Sequence, residues 1–204
     1  MYEVECQIKA VSNILQHKFS AATLEASMTG STKNTGSKDY SLEWMDTMYD
    51  HPDGYLYQPA SHIEGALQKS AVSFKIKGRG TKTWKDPIKA YCYVTPDEIP
   101  LLYENGEGFD RLLVPDETLL TNPTDNLVVD IRPVKVQRAR IARSRLMVKD
   151  WRLSFTIEVH DEQVRPDVLE TILIEAGRAV GIGDYRPRYG RFEIVSFEVT
   201  NGDA

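Results

Sequence analysis

Three groups of side chains in this 204-residue sequence have the types and spacing to do chemistry. The first is a run of cations. Residues 131–152 hold Arg132, Lys135, Arg138, Arg140, Arg143, Arg145, Lys149 and Arg152 against a single acid, Asp150, a local charge of +7. The whole chain carries −5, so the other 182 residues carry −12. A basic segment on an acidic body is a focused patch suited to a polyanion. The competing use of such arginines is pairing with acids elsewhere in the fold. The second group is the segment GIGDYRPRYGR over residues 181–191. Its glycines (Gly181, Gly183, Gly190) admit positive φ or let backbone amides approach a phosphate. Arg186, Arg188 and Arg191 supply charge, and Tyr185 and Tyr189 offer faces on which bases stack. The third group is acid–base. His62 is the one histidine placed at a helix start, and Asp46, Asp50 and Asp53 cluster in an aromatic stretch. His17, His51, His62 and His160 include no pair at metal-ligand spacing, so neither a metal nor a cofactor is expected. Cys6 and Cys92 lie in apolar, strand-like contexts and read as buried thiols of a reducing compartment.

These groups need elements to hold them. Residues 2–10 alternate, with Tyr2, Val4, Cys6, Ile8 and Ala10 on one face, and the strand is expected to continue weakly toward Phe19. Residues 20–40 are small and polar and read as a loop. Residues 41–57 regain Trp44, Tyr49, Tyr55 and Tyr57, and read as a short helix, a turn at 51–54 and a satellite core. A helix is predicted from Ser61, with Glu64 completing a capping box, through Ile63, Leu67, Ala71 and Phe74 to about Gly78. A looser basic run, Lys75, Lys77, Arg79, Lys82 and Lys85, lies at its end. Residues 88–94 read as a strand, 96–127 as an irregular insertion, and 128–149 as a long basic β-hairpin whose tip carries Arg138, Arg140, Arg143 and Arg145. Trp151, Leu153, Phe155, Ile157 and Val159 alternate through a strand. A helix opened by Pro166 then presents Leu169, Ile172, Leu173, Ala176 and Val180, and a strand spans Phe192–Val199. The order β-α-β, hairpin, β-α-β predicts an α+β, ferredoxin-like (RRM-like) fold. It would be one domain over 1–204 with insertions at about 20–57 and 96–149.

The glycine-rich segment follows a helix and precedes a strand, the reverse of a dinucleotide fingerprint. In that position it resembles the glycine-rich loop of the RAMP superfamily of CRISPR-associated proteins. The run Gln58–Leu67, QPASHIEGAL, resembles that family's Pro-x-Ser-x-x-x-Gly-x-Leu entry to the first helix. A basic hairpin between two βαβ halves resembles the thumb of the backbone subunits that polymerise along CRISPR RNA. The usual double glycine is Gly181-Ile182-Gly183 here, and the arginine often found after the helix motif is replaced by Gln68-Lys69.

The resemblance implies a non-enzymatic protein that binds single-stranded RNA in a CRISPR-type ribonucleoprotein or filament. Lys135, Arg138, Arg140, Arg143, Arg145, Tyr185, Arg186, Arg188, Tyr189 and Arg191 would hold the nucleic-acid backbone. Self-association or CRISPR effector subunits are the implied protein partners. Two alternatives remain open on the sequence. One is a metal-independent endoribonuclease of the same superfamily with His62 as general base; separately, in some related backbone subunits an acid on the loop between the first strand and the first helix cleaves target RNA, a role that the resemblance would give to Asp46, Asp50 or Asp53. The other is a phage structural or interaction protein, or a mimic of the CRISPR backbone subunit. No apolar run approaches the roughly 18 residues of a membrane-spanning helix, and the N-terminus lacks the pattern of a secretory signal. A cytoplasmic location without membrane contact is expected.

Overall fold

The computed structural model describes residues 1–19, 42–136 and 139–200, and the side chains of all of these except 134–136 and 139–141. The fold is α+β, with antiparallel sheets and four α-helices among the described residues. In the main sheet, β1 (Tyr2–Ala10) lies between β11 (Phe192–Thr200) and β10 (Arg152–Val159). The far side of β10 pairs with β4 (Cys92–Thr95) near its end and touches β6 (Leu102–Glu104) at Arg152. β7 (Phe109–Arg111) extends the sheet from β6.

The alternation seen in the sequence is the reason these strands have a dry face. Val4, Cys6 and Ile8 of β1 and Leu153, Phe155, Ile157 and Val159 of β10 are all buried, and Trp151 just ahead of β10 is fully so. Helices α2 (Ala60–Ala71) and α4 (Pro166–Glu175) contribute Ile63, Leu67, Leu169, Ile172 and Leu173 to the same core. Each large side chain fully buried there stabilises the fold by roughly 1.5–3 kcal/mol. The Ser70 hydroxyl donates to the Ile172 carbonyl at 3.0 Å and ties the two helices together. Burial pushes the Cys6 and Cys92 thiols up to about 12, so both are unreactive, as their contexts suggested.

Several expectations are corrected. The helix entered at Pro59 stops at Ala71 instead of near Gly78, and Phe74 folds back so that its carbonyl accepts from the Trp84 amide. Ser61 is not its cap. Pro59 occupies that position, and Glu64 instead accepts a bond from the Val94 amide at 3.1 Å. Residues 88–94 are half helix: α3 spans Lys85–Tyr91 and only Cys92 onward is strand. Pro87 in the first turn supports that helix, and so short an apolar run fits either period. The continuation of β1 becomes β2 (Ile14–Leu15), which joins a different sheet with β8 (Leu127–Val136) and β9 (Ala139–Val148). The region 96–127 is not wholly irregular. Besides β6 and β7 it holds β5 (Glu98–Pro100), paired with β3 (Tyr57–Pro59), and a 3-10 turn at Glu117–Leu120. Trp44 and Met48 join the main core, not a satellite one, through and just beyond the short helix α1 (Glu43–Thr47). The expected loop at 20–40 lies outside the described residues.

Candidate nucleic-acid interface

The basic hairpin exists, but its register corrects where its arginines sit. Val136 faces Ala139 at one end of the ladder, and Arg143 and Arg145 lie well down β9 from it, opposite Arg132 and Asp130. Arg138 lies outside the described residues. Lys135 and Arg140 face one another in the ladder, and their side chains also lie outside the described set.

The described arginines of the hairpin are engaged. Arg132 pairs with Asp130 at 2.7 Å, stands 4.9 Å over the Tyr189 ring and donates to the Tyr189 hydroxyl. Arg145 pairs with Asp184 at 2.7 Å. Arg143 pairs with Glu43, whose side chain is 4% exposed. Beside that pair the Trp44 amide donates to the Ser144 hydroxyl at 3.1 Å. Arg143 and Arg145 are therefore fixed braces, from the hairpin to α1 and to the glycine-rich loop, and not the loose tip charges expected. The acids that hold them are remote in sequence: Glu43 is a hundred residues from Arg143.

The glycine-rich loop opens after a π-helical turn, Ala176–Val180. Its close approaches explain its composition. Gly183 has φ +77°, and a Cβ there would stand 2.6 Å from the Ile14 side chain; Gly190 has φ +73°, and a Cβ would run into the Ile182 carbonyl. Neither position accepts a side chain. The amides of Ile182, Asp184 and Gly190 donate to the carbonyls of Gly190, Leu15 and Asn13 at 2.8–2.9 Å. Those amides hold the loop closed and are spent. The side chains point the other way: Tyr185, Arg186 and Arg188 are exposed, as is Arg191. Tyr185 and Tyr189 rings lie 6.1 Å apart, tilted by 52°. Arg188, Tyr189 and Arg191 line an open cavity of about 710 Å³ with Ser12, Asn13 and Arg178. The sequence reading missed Arg178, Ser12 and Asn13. Arg178 lies in the turn Ala176–Val180 that follows α4, which brings it to the cavity.

His62 stands at the other side of this loop. Gln58 Nε2 bonds to its Nδ1, and the Tyr49 ring meets it edge-on at 5.5 Å. Burial, and secondly the Arg186 guanidinium, hold its pKa below the ordinary 6.5, so the ring is neutral at neutral pH. Asp50 is occupied by Lys18 at 3.1 Å, and Asp53 by His51 at 3.5 Å. Asp46 is exposed. Gln16, fully buried, was also missed. It donates to the Tyr57 carbonyl at 2.8 Å and accepts from the Tyr49 amide at 3.0 Å, which pins the aromatic stretch to β2. Among the described residues no cluster of His, Cys, Asp and Glu could hold a metal ion, and no helix is long and apolar enough to cross a membrane.

No family model and no curated protein matches the sequence. Solved structures do match in fold. One is a chain of the cryo-EM structure of the Type III-B Cmr-beta bound to cognate target RNA, with a TM-score of 0.52 and 14% sequence identity. The match covers 98% of the present chain and 61% of that chain, so the protein spans about three-fifths of the neighbour's length. At that identity the likeness is one of fold.

Proposed function

We propose that this chain is an RNA-binding protein of RAMP type that holds the nucleic-acid backbone where the hairpin meets the glycine-rich loop. The observation that carries this reading is the joint itself. Arg145–Asp184 and Arg132–Tyr189 lock the two basic elements together, and Arg178, Arg188 and Arg191 line an open groove beside them. Guanidinium groups around such a groove contact phosphates and carry no base information, and the tyrosines add stacking faces. Two further features support the family reading. The strand order β11-β1-β10, with β4 paired to the far side of β10 and two strand–helix–strand halves, supports reading the core as ferredoxin-like. The structural neighbour is a chain of a CRISPR complex bound to target RNA. Single-stranded RNA is the proposed ligand, and effector subunits or further copies of the chain are the proposed partners.

The test is affinity for a labelled single-stranded RNA as a function of salt. Arg188→Ala/Arg191→Ala should flatten the log–log slope by about 1.4, at roughly 0.7 per lost phosphate contact. An unchanged slope would remove the loop from the interface. A purified protein that retains no nucleic acid and binds none at low salt would overturn the reading.

A further inference from the structure

A second basic surface lies at the opposite end of α2, in the turn that joins it to α3. Lys75, Lys77, Arg79, Lys82, Lys85 and Lys89 are all exposed, with Asp86 as the one acid of the stretch. Among the described residues none of the six forms an ion pair. They are nevertheless held on a fixed frame. Lys75 bridges to Thr83, the Ile76 amide donates to the Lys82 carbonyl at 2.9 Å, and the Trp84 amide to the Phe74 carbonyl at 3.0 Å. Phe74 and Trp84 pack against the core and anchor the base of the turn.

We infer that this turn is a second phosphate-binding surface for a single-stranded nucleic acid, separate from the glycine-rich loop. Six like charges held close together repel one another, and a polyanion relieves that repulsion while releasing its own counterions. Lysines on flexible stems suit a backbone of phosphates, since each is a point charge without the fixed fork that pairs with a carboxylate. A protein partner fits less well. Lysine is depleted at the cores of protein interfaces, and Val72 is the one large exposed apolar side chain of this stretch. The placement suits one continuous ligand. The N-terminal end of α2 lies at the loop, where Arg186 acts on His62, and its twelve residues span about 18 Å to the turn.

The inference rests on the reading of the chain as a nucleic-acid binder, but on other residues, so the two can fail separately. The probe is a labelled uridine homopolymer longer than the ~16 nucleotides of a single small-domain site. The full chain is compared with Lys75→Ala/Lys77→Ala/Lys82→Ala and with Arg188→Ala/Arg191→Ala. The lysine variant should lose about 2 from the log–log salt slope, so that lowering salt from about 1 M to about 0.1 M strengthens its binding roughly a hundredfold less than it strengthens that of wild type. A lysine variant with the wild-type slope, beside a flattened arginine variant, overturns the second surface and leaves the loop site standing. The reverse pattern keeps the surface and removes the loop. Polyglutamate that competes with the homopolymer mole for mole, and loses its grip in the lysine variant, makes the turn a docking face for acidic protein and overturns the inference. Failure of the wild type to bind the homopolymer overturns both.

Discussion

The α2–α3 turn is almost as cationic in sequence as the hairpin region and is opposite to it in structure. Residues 131–152 hold eight cations against one acid, and residues 69–89 hold seven against one. Yet Arg132, Arg143, Arg145 and Arg152 each have an acidic partner, the last at 3.2 Å from Glu104, whereas the turn's cations have none among the described residues. The balance of residue types follows the difference, since Arg79 is the one arginine among the turn's seven cations. A planar guanidinium forms forked, partly buried pairs with carboxylates, and an ammonium on a flexible stem stays in water. Charge density alone therefore pointed to the hairpin, while the arginine-to-lysine balance distinguishes a braced element from an available one.

The sharpest way to break that contrast is to cut the deepest brace. Arg143→Ala leaves Glu43 buried without its cation, and should destabilise the fold by about 3 kcal/mol. Replacing both partners by leucine should recover most of the loss, because a well-packed apolar pair substitutes for a buried ion pair. Urea midpoints of the single and double variants decide it. A single variant as stable as wild type would return Arg143 to the pool of free charges.

Arg145 should matter less. Asp184 is about one-third exposed, and water can take over part of the lost partner's role. Arg145→Ala is expected to cost about 1 kcal/mol, at the upper end for a partly exposed pair. Its more telling readout is local: amide exchange at Ile182 and Asp184 should quicken, since the loop loses its tie to β9 while its own backbone bonds remain. Unchanged exchange there would mean that the loop needs no brace from the hairpin.

These pairs also mark what the sequence could convey. β1, β10 and α4 were legible because each is long and periodic enough to separate a buried face from a wet one. Trp151 through Val159 alternate without a break, and Leu169, Ile172, Leu173 and Ala176 are all buried. The region 85–95 was not legible, since Ile88, Ala90, Cys92 and Val94 fit alternation while a helix with Pro87 in its first turn occupies the first half of it. The capping box failed for another reason: Glu64 finds the Val94 amide, a tertiary partner that no local pattern reveals. At the candidate site the glycines and arginines of the loop were visible by type. The fate of Arg143 and Arg145 was not, because Glu43 and Asp184 reach them only after the chain has folded.

A smaller effect is expected at His62, where the loop meets α2. Its folded pKa lies below 6.5, so under acid the unfolded chain takes up a proton that the folded chain resists. Stability from this group is fully present above pH 6.5 and is lost as pH falls through that value toward the folded pKa. His62→Gln should therefore show a shallower loss of urea midpoint between neutral and mildly acidic pH than wild type. Arg186→Ala should raise the imidazole's titration midpoint, followed by its ring proton resonances. A midpoint that does not move would place Arg186 away from α2.

The smallest effect is predicted for the turn, and its smallness is what sharpens the comparison. Lys75, Lys77 and Lys82 are exposed, hold no acid among the described residues, and leave the frame of the turn to backbone bonds and to the packing of Phe74 and Trp84. Their joint replacement by alanine removes no buried contact and relieves mutual repulsion. Surface changes of this kind stay within about 0.5 kcal/mol each, and here the sign should favour the variant, most visibly at low salt where repulsion is least screened. Thermal melts of wild type and triple variant at low and high salt would show it. A gap that narrows as salt rises is the signature of unpartnered like charges. A variant that melts well below wild type at every salt concentration would mean that the lysines brace the turn as the arginines brace the hairpin, and the difference between the two regions would vanish.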